Sequence, residues 1–370
     1  MRAVVVSRVY ADPATRGKLK ALAGLGVTVA AAVPDRWSPL GLGAEQQTGF
    51  GEDAGVRTVP IPVRGSTAPG SDPSWTRGPL RRLLTDFRPE LIQIEEEPWT
   101  HAAATSAALA RRLHVPYTVL TRESLRASHG AMGRFRRSRV LSGARGIVAA
   151  NELAAKVVGR NHPSLPLRVI SQVGVSLPLQ TSRPERVGLT IGFLGRLLPE
   201  KGLDLVFRAC VKLIGRWSIT VVGTGPAQEE LEGLAERLGI AGRVTWLGAL
   251  PRQRVDDVWP RLDCVVLPSR TAPNWIEGMP RAAIEAMANG VPVVTSTAGA
   301  LPETVGQAGI VVPEEDVDAI AGALQRLHDD PTERQRLAAE GRRRVMGEYT
   351  DAAIAEKTLS FWRDTIAATA

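Results

Sequence analysis

Two basic residues in the second half of the chain have the type and spacing that suit a phosphorylated ligand. Arg196 and Lys201 lie in the segment GRLLPEKG (195–202), which directly follows the apolar run LTIGFL. Two cations in a loop between a strand and a helix can both donate charge-assisted hydrogen bonds to the oxygens of a diphosphate. A solvated basic loop is the alternative interpretation, and this segment alone does not decide between the two.

A glycine-containing turn follows the next apolar run. Its sequence, GTGP (223–226), lacks the third glycine of the dinucleotide-binding fingerprint, and no acidic residue follows at the distance which that fingerprint requires. Glycine allows a tight turn and a close approach of the backbone to a neighbour. A binding loop and a simple turn therefore both fit the segment.

A pair of carboxylates and the start of a predicted helix follow the apolar run CVVL (264–267). Glu277 lies in the loop and Glu285 in the helix, where Pro280 suits the first helical position because its missing N–H is not needed there. Free amides at a helix N-terminus attract phosphate or hydroxyl oxygens, and a carboxylate can accept hydrogen bonds from sugar hydroxyls. The amides that we expect to be free are those of Met279, Arg281 and Ala282.

The elements that must position these residues alternate between strand and helix along the chain. Short apolar strands separated by helices predict an α/β fold with parallel sheets covered on both faces, in two consecutive doubly wound halves. The segment GVSLPLQTSRPERVG (174–188) has no periodic pattern and is the expected linker. Strands are predicted at 2–7, 27–33, 57–62, 91–94, 117–120, 146–150, 168–171, 189–194, 218–222, 244–247, 264–267 and 293–296. Helices are predicted at 18–25, 80–87, 101–113, 203–214, 227–238, 280–288, 317–329 and 351–366.

Taken together, the motifs resemble those of a known family. Glu277 and Glu285 are separated by seven residues, and GRLLPEKG, VVGTGP and EAMANGVPVVTSTAGALPE occur in the same order around them. This pattern resembles the E-x7-E motif and its companions in the retaining family 4 glycosyltransferases of the GT-B fold. The match is close over 189–313 and looser in the first half, where it rests on LIQIEEEPW.

The resemblance implies two Rossmann-like domains that face a central cleft. The N-terminal domain, 1–175, would bind the acceptor and would be joined by the C-terminal helix, 352–370. The C-terminal domain, 188–351, would bind the nucleotide-sugar donor. We therefore expect transfer of a hexosyl group from a nucleoside-diphosphate sugar to a hydroxyl acceptor, which could be a polysaccharide, a lipid-linked sugar or a small natural product.

The resemblance also implies a role for each matching residue. The Arg and Lys of the first motif bind the donor diphosphate, the first Glu lies by the transferred sugar, and the second Glu holds the ribose. Here those residues are Arg196, Lys201, Glu277 and Glu285, of which the first three are the expected catalytic groups. The donor-binding backbone maps to Gly195, Gly278, Met279, Arg281 and Ala282. Many relatives have Gly at the position of Pro280, so this chain lacks one amide donor there.

The same resemblance implies retention of configuration, and a reaction that needs neither a metal ion nor another cofactor. The leaving group is a nucleoside diphosphate, whose developing negative charge Arg196, Lys201 and the helix N-terminus can stabilise. The Asp-Asp pairs at 256–257 and 329–330 lie in polar helical surroundings rather than after a strand, so no such pair is placed for a divalent ion.

The acceptor side has two candidate residues in the first half. Glu97, followed by Pro98, matches the family's Glu-Pro, and Arg122 falls near the position where several relatives have a catalytic histidine. No catalytic base can be named from these residues. Glu95 and Glu96 are expected to be solvated or paired with arginine, and His101 and His129 to be surface or packing residues.

Charge is unevenly distributed along the chain. Residues 1–180 contain 24 Lys and Arg against 13 Asp and Glu, so the overall charge of +8 comes from the first half. The run 134–139 holds four arginines with Met132 and Phe135 beside them, which suits either peripheral contact with a membrane or a solvated helix face. An acidic or phosphorylated acceptor would use the same charge.

Other features bear on location. No signal-peptide core and no apolar run long enough for a membrane span is found in the sequence. The two cysteines, Cys210 and Cys264, are expected in the core of a protein from a reducing compartment. A cytoplasmic location follows, with peripheral contact at the inner face of the membrane as its variant.

Three other function classes compete with glycosyl transfer. A GT-B epimerase would show extra acidic and histidine residues around the sugar, and a phosphorylase would be longer and carry a pyridoxal-binding lysine. A nucleic-acid binder would fit the pI near 10, but the basic residues are not interleaved with aromatic ones. No nucleic-acid partner is therefore expected.

Overall fold

Residues 1–38, 45–68, 70–125, 130–160, 162–179 and 187–367 are described by a computed structural model, without the side chains of 252 and 253. The chain divides into two units. Unit 1 is Met1–Gly174 together with the C-terminal segment from Thr350, and unit 2 is Val175–Tyr349. His129, considered above, lies outside the described residues, as do residues 180–186 of the expected linker.

Unit 1 is built on an eight-stranded sheet with the order β12-β11-β10-β9-β1-β2-β6-β5. All its neighbouring strands are parallel except β5 and β6. Two short antiparallel ladders, β3–β4 and β7–β8, accompany it. The strands of unit 1 are β1 (Arg2–Val6), β2 (Thr28–Pro34), β3 (Arg36–Trp37), β4 (Gln46–Gln47), β5 (Gly51–Asp53), β6 (Val56–Ile61), β7 (Val63–Arg64), β8 (Ser74–Trp75), β9 (Leu91–Ile94), β10 (Tyr117–Thr121), β11 (Gly146–Ala149) and β12 (Leu167–Val169).

Helices cover both faces of this sheet, because successive residues of its apolar strands point to opposite sides. Val4 and Val6 pack on the face covered by α2, α3 and α4, whereas Ala3 and Val5 pack on the face covered by α1 and α13. Within α13, buried Trp362 donates from Nε1 to Gln93 Oε1 of β9 at 2.8 Å. The helices of unit 1 are α1 (Gly17–Gly24), α2 (Arg77–Phe87), α3 (His101–Arg112), α4 (Ala131–Leu141), α5 (Glu152–Gly159) and α13 (Asp351–Ala367).

Unit 2 is built on a six-stranded parallel sheet with the order β15-β14-β13-β16-β17-β18. One face packs on α6, α7 and α11, and the other on α9, α10 and the end of α12. Its strands are β13 (Leu189–Leu194), β14 (Trp217–Val222), β15 (Val244–Trp246), β16 (Cys264–Leu267), β17 (Val293–Ser296) and β18 (Gly309–Val312). Its helices are α6 (Leu203–Cys210), α7 (Gln228–Arg237), α8 (Arg252–Val255), α9 (Arg281–Ala288), α10 (Leu301–Val305), α11 (Val317–Asp329) and α12 (Pro331–Glu348).

The predicted α/β class with doubly wound parallel sheets is confirmed, and several details differ from the expectations. The elements that were not predicted are helices α5, α8, α10 and α12 and strands β3, β4, β5, β7, β8 and β18. The described start of the expected linker is packed on unit 2, because the Val175 amide donates to Tyr349 O at 3.0 Å and Arg342 Nη2 donates to Pro178 O at 2.7 Å. Both cysteines are buried, as expected.

Candidate functional site

A pocket lies at the carboxyl edge of the unit 2 sheet, at the ends of β13 and β16 and the start of α9. Its empty volume is about 520 Å³, and it is open to solvent. This is the edge at which open α/β sheets bind ligands. The lining residues are Phe193, Leu194, Gly195, Lys201, Leu267, Ser269, Glu277, Met279, Pro280, Arg281 and Ala282.

The loop with Arg196 and Lys201 is held in place by the GTGP turn. Leu197 donates its amide to Thr224 O at 3.0 Å and accepts from the Ala227 amide at 3.1 Å. Gly223 has a φ of 136°, and a Cβ there would lie 1.8 Å from Gly195 O. The glycine is thus required for two loop backbones to meet, which favours the turn interpretation over direct ligand binding.

Lys201 is fixed at the pocket wall by two contacts, and its partner Glu277 is held by a third residue. Its Nζ forms an ion pair with Glu277 Oε2 and lies 5.1 Å from the centre of the Trp275 ring. Buried Ser269 donates from Oγ to the same Glu277 oxygen at 3.2 Å. The amides and carbonyls of Ala272 and Trp275 pair with each other, so the turn between them holds the indole beside the lysine. The lysine and its carboxylate therefore have defined positions in the pocket.

Arg281 links the pocket to the second carboxylate of the motif. Its Nε donates to Glu285 Oε1 at 2.7 Å, one helical turn further along α9. Its Nη2 is buried and has no acceptor among the described residues. A buried guanidinium nitrogen without an acceptor is costly, so this atom is a donor that a ligand oxygen can satisfy.

The start of α9 differs from the sequence prediction. Pro280 precedes the helix as its N-cap residue, with φ −78° and ψ 69°, and the helix begins at Arg281. The Arg281 amide is not free, because it donates to Met279 O at 2.8 Å. In the described part of the chain, the amides of Met279 and Ala282 have no acceptor. Two of the three expected amide donors are thus available.

The pocket brings together most of the predicted donor-site residues. Gly195, Lys201 and Glu277 line it, as do Met279, Arg281 and Ala282. Arg196 is exposed on the same loop but does not line the pocket. Gly278 and Glu285 lie next to lining residues without lining it themselves. The roles of all these residues stay predictions.

The acceptor-side candidates meet at the carboxyl edge of the unit 1 sheet. Glu97 Oε1 accepts from the Arg122 amide at 2.9 Å and lies 3.5 Å from Arg122 Nε. Glu97 Oε2 accepts from Thr121 Oγ1 at 2.8 Å. Glu97 and Arg122 therefore form a bonded pair, which connects the ends of β9 and β10.

The other two glutamates of this segment are buried and paired. Glu96 accepts from the Arg8 amide at 2.6 Å and from Arg8 Nε at 2.9 Å, as expected for pairing with arginine. The expectation for Glu95 is wrong, because its partners are Lys18 Nζ at 2.5 Å and Tyr10 Oη at 2.7 Å. Burial, and then the neighbouring carboxylate of Glu95, raise the pKa of Tyr10 well above its usual value. Its hydroxyl therefore stays protonated and can donate.

Sequence reasoning missed three contributors to these sites. Ser269 and Trp275 fix the Glu277–Lys201 pair, and Arg8 pairs with Glu96. A signal was present for two of them, since Ser269 and Arg8 each come two residues after a buried strand, at the edge where ligands bind. The position of Trp275 depends on a turn that periodicity does not reveal.

Two classes of feature are absent from the described residues. No helix there is long and apolar enough to cross a membrane. No group of three or more His, Cys, Asp or Glu side chains is placed there to hold a metal ion. His101, at the start of α3, contacts Asp72 Oδ2 through Nδ1 at 2.7 Å and lies beside Arg136, so it has packing partners.

Comparison with known proteins matches both halves of the chain to glycosyl transferase families. Residues 184–344 match the family model of glycosyl transferases group 1, and residues 11–171 match the glycosyl transferase 4-like domain. A GDP-mannose-dependent alpha-(1-6)-phosphatidylinositol monomannoside mannosyltransferase of Mycolicibacterium smegmatis is 37% identical over 169 residues, which are 43% of this chain and 44% of that protein. A 2-deoxystreptamine N-acetyl-D-glucosaminyltransferase of Streptomyces fradiae is 28% identical over 77% of this chain and 72% of that protein. The matched region thus spans less than half of the mycobacterial relative.

Solved structures share the fold over nearly the full chain. Sucrose-phosphate synthase from Thermosynechococcus elongatus has a TM-score of 0.73 at 19% identity, and the match covers 100% of both chains. Anabaena HepE in complex with UDP and glucose has a TM-score of 0.72 at 17% identity, over 98% of this chain and 100% of that one. The comparisons favour neither the epimerase nor the nucleic-acid-binding alternative. This chain belongs to the family 4 glycosyltransferases of the GT-B fold.

Proposed function

We propose that the chain transfers a hexosyl group from a nucleoside-diphosphate sugar to a hydroxyl acceptor. The observation that carries this proposal is the unit 2 pocket in which Lys201, Glu277 and Arg281 meet. Family membership supports glycosyl transfer, and the two curated relatives are named as transferring mannose and N-acetylglucosamine. A pocket that combines cations, amide donors and carboxylates has the groups that a nucleotide sugar requires.

The donor diphosphate binds to the basic side of the pocket. Lys201 lies in the wall, Arg196 lies on the same loop, and Arg281 Nη2 and the amides of Met279 and Ala282 are further donors. These groups are charge-assisted or backbone donors, which suit phosphate oxygens. They stabilise the negative charge that develops on the leaving nucleoside diphosphate, so the reaction needs no divalent cation.

The two carboxylates bind the sugar parts of the donor. Glu277 lies in the pocket beside Lys201 and accepts hydrogen bonds from the transferred sugar. Glu285 lies one turn along α9, where Arg281 orients it toward the ribose hydroxyls. A carboxylate held by a neighbouring cation has a fixed orientation, which favours the recognition of defined hydroxyl groups.

The reaction proceeds with retention of configuration. The acceptor hydroxyl attacks the anomeric carbon from the face that the diphosphate leaves. The bond from this carbon to the phosphate oxygen breaks, and the hydroxyl proton passes to that oxygen. Because that oxygen takes the proton, no protein base is required. Lys201 and Arg196 stabilise the departing diphosphate. The family resemblance supports this step.

The acceptor binds to unit 1, where Glu97 and Arg122 meet at the carboxyl edge of the sheet. Either residue can form a hydrogen bond with a hydroxyl of the acceptor substrate. Glu97 would accept this hydrogen bond, and Arg122 would donate it. The curated relatives are named for a phosphatidylinositol mannoside and for 2-deoxystreptamine. These names support both a lipid-linked and a small-molecule acceptor.

Unit 1 contacts the inner face of the membrane through α4. The helix exposes Met132 and Phe135 together with Arg134 and Arg139. Exposed apolar side chains beside arginines suit the surface of an anionic bilayer. Within the same run, Arg136 pairs with Asp72 and Arg137 pairs with Glu123.

The donor site is tested by nucleotide-sugar binding. A thermal-shift panel of UDP-, GDP- and ADP-sugars identifies the donor, and calorimetry then measures its affinity. We expect Lys201→Ala and Glu285→Ala each to weaken binding about tenfold or more, since each removes a hydrogen bond to or from a charged group. Lys212→Ala is the matched control, because Lys212 is an exposed lysine of unit 2 that pairs with Asp318.

Unchanged affinity in both donor-site variants would contradict the assignment. Two further measurements test the chemistry. NMR of the first product should show the anomeric configuration of the donor, and turnover should persist in EDTA. An inverted product would overturn the proposed mechanism, and loss of turnover in EDTA that Mg²⁺ restores would overturn metal independence.

A further inference from the structure

Two arginines lie at the carboxyl edge of the unit 1 sheet. Arg8 follows β1, Arg122 follows β10, and β9 lies between these two strands. Neighbouring strands are about 4.8 Å apart, so the two chain segments leave the sheet about 10 Å apart. Arginine side chains can reach a common ligand across that distance.

Arg8 is held by a buried carboxylate and keeps one donor group. Its Nε donates to Glu96 Oε2 at 2.9 Å, and its Nη1 donates to Ser71 O at 2.8 Å. The Glu96 side chain is 1% exposed, whereas that of Arg8 is 31% exposed. In the described part of the chain, Arg8 Nη2 has no acceptor. The guanidinium plane is thus fixed, and one of its edges remains available.

Arg122 is held more loosely than Arg8, by one ion-pair contact of its side chain. Its Nε lies 3.5 Å from Glu97 Oε1, and the side chain is 33% exposed. Neither Nη atom of Arg122 has an acceptor among the described residues. A guanidinium that a carboxylate already orients loses little conformational freedom when it binds a ligand. Both arginines are therefore prepared to donate to an oxyanion.

The surrounding charges favour an anionic ligand over a neutral one. Burial raises the pKa of Glu96, whereas the positive charges of Arg8 and Arg122 lower it. Both guanidinium groups are therefore close enough to interact electrostatically with this carboxylate. Each glutamate of the segment 95–97 already accepts hydrogen bonds from the protein. The groups of the two ion pairs that remain available are thus the guanidinium N–H donors of Arg8 and Arg122. The excess of basic residues among the first 180 adds a positive electrostatic field.

We propose that Arg8 and Arg122 bind a phosphate ester on the acceptor, so that the acceptor class is a hydroxyl compound that carries phosphate. The inference rests on the proposed function, in which unit 1 binds the acceptor. A phosphate suits two separate arginines because its oxygens can accept from two guanidinium planes at once. The acceptor phosphate anchors the substrate, and a hydroxyl of the same molecule receives the sugar.

Calorimetry with glycerol 3-phosphate tests the proposal. The full chain carries Arg196→Ala, Lys201→Ala and Arg281→Ala, so that the phosphate cannot bind to the basic side chains at the unit 2 pocket. We expect Arg122→Gln to weaken binding about tenfold or more, and Arg8→Gln with Glu96→Gln to do the same. The paired substitution avoids leaving Glu96 buried without a partner. Arg81→Gln, at an exposed arginine of α2, should leave the affinity unchanged.

Two results would overturn the proposal: phosphate affinity that neither variant alters, or glycerol that binds as tightly as its phosphate. Because this readout does not depend on nucleotide binding, the donor site and the phosphate site can fail separately. Flotation with phosphatidylinositol and phosphatidylcholine vesicles then identifies the source of the phosphate. A lipid headgroup is supported if Arg122→Gln lowers binding to phosphatidylinositol vesicles but not to phosphatidylcholine vesicles. A soluble ester is supported if that substitution changes only glycerol 3-phosphate binding.

Discussion

At the scale of residues, one cation at each sheet edge is oriented by a carboxylate from a distant part of the chain. Lys201 pairs with Glu277, 76 residues away, and Arg8 pairs with Glu96, 88 residues away. Such pairs hold the cation in place before a ligand binds, which lowers the entropic cost of binding. The paired carboxylate therefore contributes to the binding site by orienting the cation.

The buried pair of Lys18 and Glu95 gives the first prediction at this scale. Their side chains are 2% and 1% exposed, so removing one partner leaves a buried charge without compensation. We expect Lys18→Met to lower the free energy of unfolding by about 3–5 kcal/mol, measured by urea denaturation at pH 7. Lys20→Met is the control, because Lys20 of the same helix forms an exposed pair with Asp53, for which about 1 kcal/mol or less is expected. Equal effects of the two substitutions would contradict the prediction.

Residue types were predictable from the sequence, but their partners were not. Arg196 and Lys201 were expected to act as equivalent diphosphate ligands, whereas only Lys201 lines the pocket. The difference arises because Lys201 reaches a glutamate and an indole of the loop after β16, and such long-range contacts leave no periodic pattern in the sequence. Glu95 was misassigned for the same reason, since its partner Lys18 lies in α1, 77 residues earlier in the chain.

At the scale of elements, the buried parallel strands were predicted well and the helix α12 was missed. The strands are continuous apolar runs bounded by loops, which is a strong signal. Helix α12 buries only Leu337, Gly341 and Val345 among its 18 residues, so its apolar stripe is too sparse to stand out. Its start was nevertheless marked, because Asp330 caps the Glu333 amide at 3.0 Å and Pro331 follows at the first turn.

The loops at the edge of the unit 2 sheet give a prediction about glycine. A Cβ at position 223 would collide with Gly195 O, so Gly223→Ala must displace the loop that carries Lys201. We expect it to lower the melting temperature and to weaken nucleotide-sugar binding. Gly239→Ala is the control, because its φ of +68° is also strained but nothing lies within 4 Å of the new Cβ. The control should cost about 1 kcal/mol in stability and leave binding intact. The prediction fails if the two variants bind the donor alike.

At the scale of the whole molecule, charge and chemistry are divided between the two units. The donor pocket of unit 2 needs few cations, whereas the excess of 24 basic over 13 acidic residues lies in the first 180 residues. This excess is available to bind an anionic acceptor or an anionic surface. The proposed phosphate site and the exposed arginines of α4 both use it, because both attract an anionic substrate or surface.

The two thiols provide a test of whether the core of unit 2 excludes a water-soluble reagent. Cys210 and Cys264 are both buried, and burial raises the pKa of the Cys210 thiol to about 12. At pH 8 the thiolate fraction of Cys210 is then about one in 10⁴. We expect Ellman's reagent to modify neither thiol of the folded chain within minutes, and both after denaturation in urea. Rapid reaction of one thiol in the folded chain that Cys210→Ala abolishes would contradict the prediction. It would show that the core around α6 opens readily.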